Sequence, residues 1–200
     1  MGAASSMAQS VYSVNIVGYI NKTLPSGLSL IANQLNATPD NTIATLVPNP
    51  GGPATVSKFN ATKGSFDSAS FDPDSGTWDN PALVLAPGQA AFVDNSTGGP
   101  LPLTFVGEVQ LNSSINIHKG LDSYSSVIPQ AGDLNAIQFP TPAGSMNFFK
   151  FNGKSFTAFT FDPDSGTWDT LPTVSIAEGF FVDNSSGADL SWSRSFPVGP

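Results

Sequence analysis

The chain has 200 residues, of which 40% are hydrophobic and 11% charged, and its formal net charge is −8 at pH 7. Its seven lysines and arginines form no cluster, which argues against nucleic acid and anionic membranes as partners because both require a basic surface. With no cysteine and one histidine, the sequence excludes disulfide frameworks and zinc sites built from several Cys or His ligands.

Residues 1–8 resemble the end of a signal peptide. Ser6-Met7-Ala8 has the small-x-small form of a signal-peptidase site, which predicts an exported protein cleaved near Ala8 and located at the cell surface or outside the cell. The alternative is an Ala/Ser-rich leader without that role. No apolar run reaches the roughly 18 residues that a membrane span requires, so no membrane span is expected.

Frequent Gly and Pro divide the rest of the chain into short predicted β-strands separated by turns. In the first half these strands lie at residues 28–32, 55–59, 66–71, 83–85, 90–93 and 101–106. In the second half they lie at residues 124–128, 147–151, 156–161, 173–176, 179–182 and 190–196. Asp40 and Asp133 each precede a short stretch that ends at a proline, which predicts helical turns near residues 40–46 and 132–138.

The sequence is dominated by a nonapeptide, FDPDSGTWD, that occurs unchanged at residues 71–79 and 161–169. Shorter matches accompany it, pairing residues 58–60 with 150–152 and residues 92–96 with 181–185. This repeat predicts two homologous modules of about 90 residues, which we place at residues 9–105 and 106–200. The predicted fold class is all-β, with the two tandem modules forming a pseudo-symmetric sandwich or barrel-like pair.

A strand that leads into Val-Gly occurs three times, at residues 14–18, 103–107 and 195–199. Two modules therefore carry three copies of this boundary strand. One interpretation is that the first and last copies close a sheet within one molecule. The other is that a spare strand, predicted at residues 11–18, completes the sheet of a neighbouring copy and produces a homo-oligomer or filament.

Four segments in this order carry a family resemblance: GLSLIAN at residues 27–33, VSKFN at 56–60, LAPGQAAFV at 85–93 and LTFVGE at 103–108. The order resembles the tandem modules of uncharacterised exported bacterial β-rich proteins, in which a GxxLIxNPL strand precedes VYKxxG, PGEGFFV and FxGxV strands. The resemblance implies secretion and a β architecture, and it brings no established activity. The chain departs from the pattern at Gln34-Leu35, where Pro-Leu is usual.

The repeated nonapeptide contains the candidate metal ligands, which are Asp72, Asp74, Asp79, Asp162, Asp164 and Asp169. Carboxylates at alternate positions before a Gly resemble the start of a calcium loop, so weakly bound Ca²⁺ is one prediction. Counted from Asp72, however, the fifth position is Gly76 and the twelfth is Leu83, and neither residue is an EF-hand ligand. The other prediction is a β-hairpin whose Pro, Asp, Ser and Gly are turn residues, with no cofactor.

Trp78 and Trp168 follow the polar turns of the two nonapeptides, and there they suit a pair of sugar-stacking platforms. The alternative is a core lid whose indole N–H reaches a main-chain carbonyl. Trp192 has no counterpart in the first module and is predicted to pack near the last strand.

Catalytic residues are not predicted. The only histidine, His118, has no equivalent in the first module, and the chain has no Gly-x-Ser-x-Gly motif. We therefore expect a non-catalytic, exported structural or adhesive protein of a surface layer, fibre or matrix. The alternatives are a module that binds polysaccharide through Trp78 and Trp168, and a carboxylate-based glycan hydrolase.

Overall fold

The computed structural model describes residues 16–196, which form antiparallel β-strands and one four-residue helix. This confirms the all-β class. No helix in this range has the length and apolar character of a membrane span. The predicted signal-peptide remnant at residues 1–8 lies outside the described residues, as do residues 11–15 and 197–199 of the boundary strands.

The first module contains β1 (Val17–Leu24), β2 (Gly27–Ala32), α1 (Ile43–Leu46), β3 (Ala54–Asn60), β4 (Ser65–Asp72), β5 (Thr77–Trp78), β6 (Ala90–Asn95) and β7 (Leu101–Glu108). The second contains β8 (Asn112–Ile117), β9 (Gly120–Tyr124), β10 (Gly132–Asp133), β11 (Met146–Phe151), β12 (Phe156–Asp162), β13 (Thr167–Trp168), β14 (Thr173–Val174), β15 (Phe180–Asn184) and β16 (Leu190–Ser195).

Both modules have the same architecture, a two-stranded ribbon packed on a five-stranded sheet. The first sheet has the order β2-β6-β3-β4-β5 and the second the equivalent order β9-β15-β11-β12-β13, while the ribbons are β1-β7 and β8-β16. Buried Ile20 and Phe105 of the first ribbon belong to the same core as Val56 and Val93 of its sheet. No sheet within residues 16–196 closes on itself, so neither module is a closed barrel and the arrangement is that of a sandwich.

The described part of the boundary strand pairs within its own molecule. Gly18 lies opposite Gly107 in the β1-β7 ribbon, and the Val109 N–H donates to the Ile16 carbonyl at 2.7 Å. The first two Val-Gly copies are therefore partners in one ribbon. Strand β7 crosses the predicted boundary at residue 105 and continues to Glu108.

Only one of the two predicted helical turns is a helix. In the first, α1 follows Asp40, whose carboxylate accepts hydrogen bonds from the Thr42 N–H at 3.0 Å and the Thr45 hydroxyl at 2.7 Å. In the second, Asp133 accepts from the Ala136 N–H at 2.8 Å, but Asp133 also belongs to β10. Gln138 then adopts a left-handed φ of 52°, which ends the helical path after a single turn.

The two five-stranded sheets pack against each other through their outer faces. Leu30, Ala90, Phe92 and Phe181 are buried in this interface, and three further phenylalanines, Phe59, Phe149 and Phe151, pack around them. The edges of the two sheets also contact each other at two equivalent places. Ile31 forms a β-bridge with Glu178. Tyr124, the equivalent of Ile31, forms a β-bridge with Gln89, the equivalent of Glu178. The modules are therefore related by an approximate two-fold axis.

Candidate functional site: the open edge of strand β1

Both nonapeptides form the same β-hairpin turn. In the first copy Asp72 Oδ1 accepts from the Asp74 N–H at 3.0 Å, and the Asp72 carbonyl accepts from the Gly76 N–H at 2.9 Å. Gly76 has a φ of 67°, a value that glycine adopts without steric cost. Asp162 and Gly166 repeat this geometry in the second copy. The local turn chemistry of the nonapeptide thus accounts for its structure in both modules.

The last carboxylate of each nonapeptide accepts from a backbone N–H beside the hairpin, whereas Asp74 and Asp164 are exposed and their carboxylates make no hydrogen bond within residues 16–196. Asp79 accepts from the Ser70 N–H at 2.7 Å, and Asp169 accepts from the Thr170 N–H. Hydrogen bonds from the backbone N–H groups of the turns hold the pKa of both Asp72 and Asp162 below the usual range. In the part of the chain that the structure describes, no three His, Cys, Asp or Glu side chains form a group that suits a metal ion.

The three tryptophans occupy different environments. Trp78 is 6% exposed and its indole N–H donates to the Val47 carbonyl at 2.8 Å, so it has no open face for stacking on a sugar. Trp168 is half-buried against the ring of Phe161, with 5.5 Å between the ring centroids. Trp192 is buried as expected, and its N–H donates to the Ile137 carbonyl at 3.3 Å.

The identical local sequences around Trp78 and Trp168 allow a matched test of the lid role. Trp78→Phe is expected to lower the free energy of unfolding by about 1–2 kcal/mol, because it removes a buried hydrogen bond to Val47 and part of a buried ring. Trp168→Phe should cost clearly less, since Trp168 is only half-buried. Urea unfolding followed by circular dichroism measures both variants, and equal losses would contradict the lid role of Trp78.

His118 lies in the exposed turn between β8 and β9. Its Nδ1 atom is 2.9 Å from Asp189 Oδ2, and the same carboxylate accepts from the Lys119 N–H at 2.9 Å through its other oxygen. Within residues 16–196 no serine or threonine hydroxyl hydrogen-bonds to the His118 ring. The pair therefore fixes the β8–β9 turn to the loop that precedes β16.

The β1 strand has an unpaired edge. Ile16 and Val109 form a hydrogen-bonded pair, and in an antiparallel ribbon such pairs alternate with pairs that share no main-chain hydrogen bond. In the register of the β1-β7 ribbon, the N–H and C=O groups of Tyr19, Asn21 and Thr23 therefore point away from β7. Across residues 16–196 these outward groups make no main-chain hydrogen bond. A groove of about 330 Å³ runs beside this edge, lined by consecutive residues 18–21 and, on its other side, by Pro129 and Ile176.

The opposite edge of the same ribbon is closed. Pro102 in β7 lies opposite Thr23 at a position whose nitrogen points away from β1, and proline has no N–H to donate there. At the other end of β7, Glu108 exchanges two main-chain hydrogen bonds with Asn36, both 2.9 Å long. One edge of the ribbon is thus protected against strand addition while the β1 edge is not.

The outer face of the β1-β7 ribbon is apolar where the equivalent face of the second module is polar. Val17 is 64% exposed, Tyr19 is 71% exposed and Val106, opposite Tyr19, is 40% exposed. The positions of the β8-β16 ribbon that are equivalent to Tyr19 and Val106 are Asn112 and Ser195, which are exposed, and the Ser195 hydroxyl donates to Asn112 Oδ1 at 2.9 Å. The sequence prediction missed β1 beyond residue 18, although the alternation of polar residues with Ile20 and Leu24 indicated it.

The chain matches no protein-family model, and neither a curated protein nor a solved structure is similar to it. The resemblance to exported bacterial β-rich modules consequently stays a prediction.

Proposed function

We propose that this protein is a non-catalytic structural or adhesive unit, exported to the cell surface, which self-associates through the β1 edge. The observation that carries the proposal is the contrast between the two edges of the β1-β7 ribbon. The β7 edge is closed by Pro102 and by the Asn36–Glu108 pair, whereas the β1 edge has free main-chain groups beside a groove. A strand added to β1 gains main-chain hydrogen bonds along the groove.

The apolar face of the ribbon supports the same role. Tyr19 and Val17 are the two most exposed large hydrophobic side chains among the described residues. A β1 strand of a second copy, placed antiparallel to the first, brings both pairs of side chains onto one face of a continuous four-stranded sheet. This removes apolar surface from water, at about 25 cal/mol per Å². The associating element of this proposal is the outward edge of β1. Residues 11–18 are not required as a spare strand, because residues 16–18 already pair with residues 107–109 of their own molecule.

The two alternative functions lose part of their basis. The polysaccharide-binding alternative requires open faces on Trp78 and Trp168, and Trp78 is buried. The hydrolase alternative requires two carboxylic acids that face a substrate, whereas Asp72 and Asp162 accept hydrogen bonds within their own turns. These observations favour the structural role over both.

A substitution by proline tests whether the protein associates through the β1 edge. Asn21→Pro removes an outward N–H donor without breaking a main-chain hydrogen bond of the β1-β7 ribbon. We expect it to weaken self-association about tenfold or more, as the loss of one or two hydrogen bonds predicts. The wild-type chain should show a weight-average mass that rises with concentration in sedimentation velocity, and Asn21→Pro should stay monomeric over the same range.

Ser114→Pro is the matched control, because Ser114 is the equivalent residue of the second ribbon. Both side chains bond across their ribbon, Asn21 to Thr104 and Ser114 to Ser193, each at 2.9 Å. We expect Ser114→Pro to associate as the wild type does. A wild-type chain that is monomeric at all concentrations, or equal loss of association in both variants, would show the proposal to be wrong.

A further inference from the structure

A polar cleft lies at the junction of the two modules and shares no lining residue with the β1 groove. Its volume is about 340 Å³, within the range of roughly 300–1,000 Å³ that is typical of small-molecule sites. Its hydrogen-bonding side chains include Lys58, Gln89, Asn116, His118 and Asp122. Phe59 and Ile115 supply apolar surface beside them. Both modules contribute to it, as Lys58 and Gln89 come from the first and the others from the second.

The approximate two-fold symmetry of the molecule is broken at this cleft. In the second module the Lys150 ammonium is paired with Glu178, with 3.1 Å between Nζ and Oε1, and it also donates to a main-chain carbonyl. The equivalent Lys58 donates to the Val84 carbonyl at 2.9 Å and to Gln89, which replaces the glutamate, at 3.0 Å. Among residues 16–196 no carboxylate lies within 4.0 Å of the Lys58 ammonium.

Asp122 is a second position at which the two modules differ in the cleft. It occupies the position of Ser29 in the first module and is partly buried in the cleft lining. The only hydrogen bond that its carboxylate accepts within the described residues comes from the Ser123 N–H at 2.7 Å, which leaves acceptor positions on the carboxylate unused. Burial raises the pKa of Asp122 and lowers the pKa of Lys58, as expected for charged groups without a full set of partners.

We propose that this cleft binds a monosaccharide or disaccharide between the Lys58 and Asp122 side chains. Sugar hydroxyls both donate and accept hydrogen bonds, so one ring can accept from the Lys58 ammonium and donate to the Asp122 carboxylate. The Asn116 amide likewise offers both a donor and an acceptor. Gln89 offers the donors of its NH2 group, because its Oε1 atom already accepts from the Lys58 ammonium and from the Ala86 N–H, each at 3.0 Å. Phe59 and Ile115 face the cleft with the apolar surface that the C–H groups of a sugar ring require.

Other ligand classes fit this combination less well. An anion is repelled by Asp122 and a cation by Lys58, because no ion pair within 4.0 Å neutralises either group among the described residues. An apolar ligand displaces water from both charged groups without replacing the lost hydrogen bonds, which is costly. A neutral polyhydroxyl ligand satisfies both walls of the cleft. The site adds a glycan contact to the protein and does not depend on β1 pairing.

Titration of the isotope-labelled chain with simple sugars, followed by NMR amide shifts, tests the site. The probes are glucose, galactose and N-acetylglucosamine, together with cellobiose, lactose and chitobiose. We expect at least one sugar to shift the amides of residues 88–89 and 116–123 in a saturable manner. Asp122→Asn and Lys58→Met should each weaken that sugar about fivefold or more, the loss of one charged hydrogen bond. Lys154→Met, at an exposed lysine outside the cleft, should leave the affinity unchanged.

Thermal melts of each variant separate a lost contact from a lost fold. Asp122→Asn keeps the shape of the side chain, so its melting temperature should stay close to that of the wild type. The proposal is overturned if no sugar shifts the cleft amides at tens of millimolar, or if a folded Asp122→Asn chain binds as the wild type does. Sedimentation of these variants reports separately on the β1 edge, which lies outside the cleft.

Discussion

Replacing Gly107 by alanine is expected to lower the free energy of unfolding by about 3 kcal/mol, the upper range for overpacking a tight contact. An alanine Cβ at this position would lie 2.5 Å from the Asn36 carbonyl oxygen and 2.9 Å from the Ala37 nitrogen. Both are main-chain atoms, and the Asn36 carbonyl is also bonded to the Glu108 N–H. The chain therefore has no flexible group that can move aside. Urea unfolding measured by circular dichroism gives the loss directly.

Alanine substitutions at two further glycines give a graded comparison for the loss of stability at Gly107. Gly18→Ala should cost about 1 kcal/mol, because the new Cβ meets the Leu35 Cδ2 atom at 2.7 Å, and a side-chain tip of this kind can rotate away. Gly99→Ala should cost nothing, since no atom lies within 4 Å of its Cβ position and its φ lies outside the left-handed region. Equal stability of the Gly107→Ala and Gly99→Ala chains would contradict the close packing of Asn36 on the ribbon.

These glycines also show why the sequence predicts only part of the role of the boundary strand. The recurrence of Val-Gly indicated a shared structural requirement, and that requirement is real, because Gly18 and Gly107 both admit the chain segment at residues 35–37. That segment is far from Gly107 in sequence, so no local pattern identifies it as the cause. The two glycines lie opposite each other in one ribbon, and only this pairing brings both of them against the same segment.

Local chemistry explains what the sequence predicted well. The hairpin of the nonapeptide depends on contacts between Asp72 and Gly76, only four residues apart, so the sequence of the turn contains the whole cause. The environment of Trp78 depends instead on the Val47 carbonyl, 31 residues away. The polar cleft depends on Lys58 and Asp122, which belong to different modules. The sequence feature that indicates the cleft is the divergence of the two copies. The first copy has Gln89 where the second has Glu178, and it has Ser29 where the second has Asp122.

Phe181→Ala is expected to destabilise the protein by about 3–4 kcal/mol, the usual cost of removing a buried phenylalanine ring. Phe181 is 6% exposed, and its ring centroid lies 5.6 Å from that of Phe59 and 6.0 Å from that of Phe92, both in the first module. Each module has its own core besides this interface. Loss of the Phe181 ring should therefore uncouple the modules and divide a single calorimetric transition into two.

Phe66→Ala is the control because Phe66 belongs to the same aromatic cluster but is 47% exposed. We expect this variant to lose about 1 kcal/mol and to unfold in one transition, since a half-exposed ring contributes less buried area. If Phe181→Ala also unfolds in one transition, the aromatic cluster is not what couples the modules. The coupling would then reside in the edges, where Gln34 donates to the Ser126 carbonyl at 2.9 Å and accepts from the Ala177 N–H at 2.8 Å.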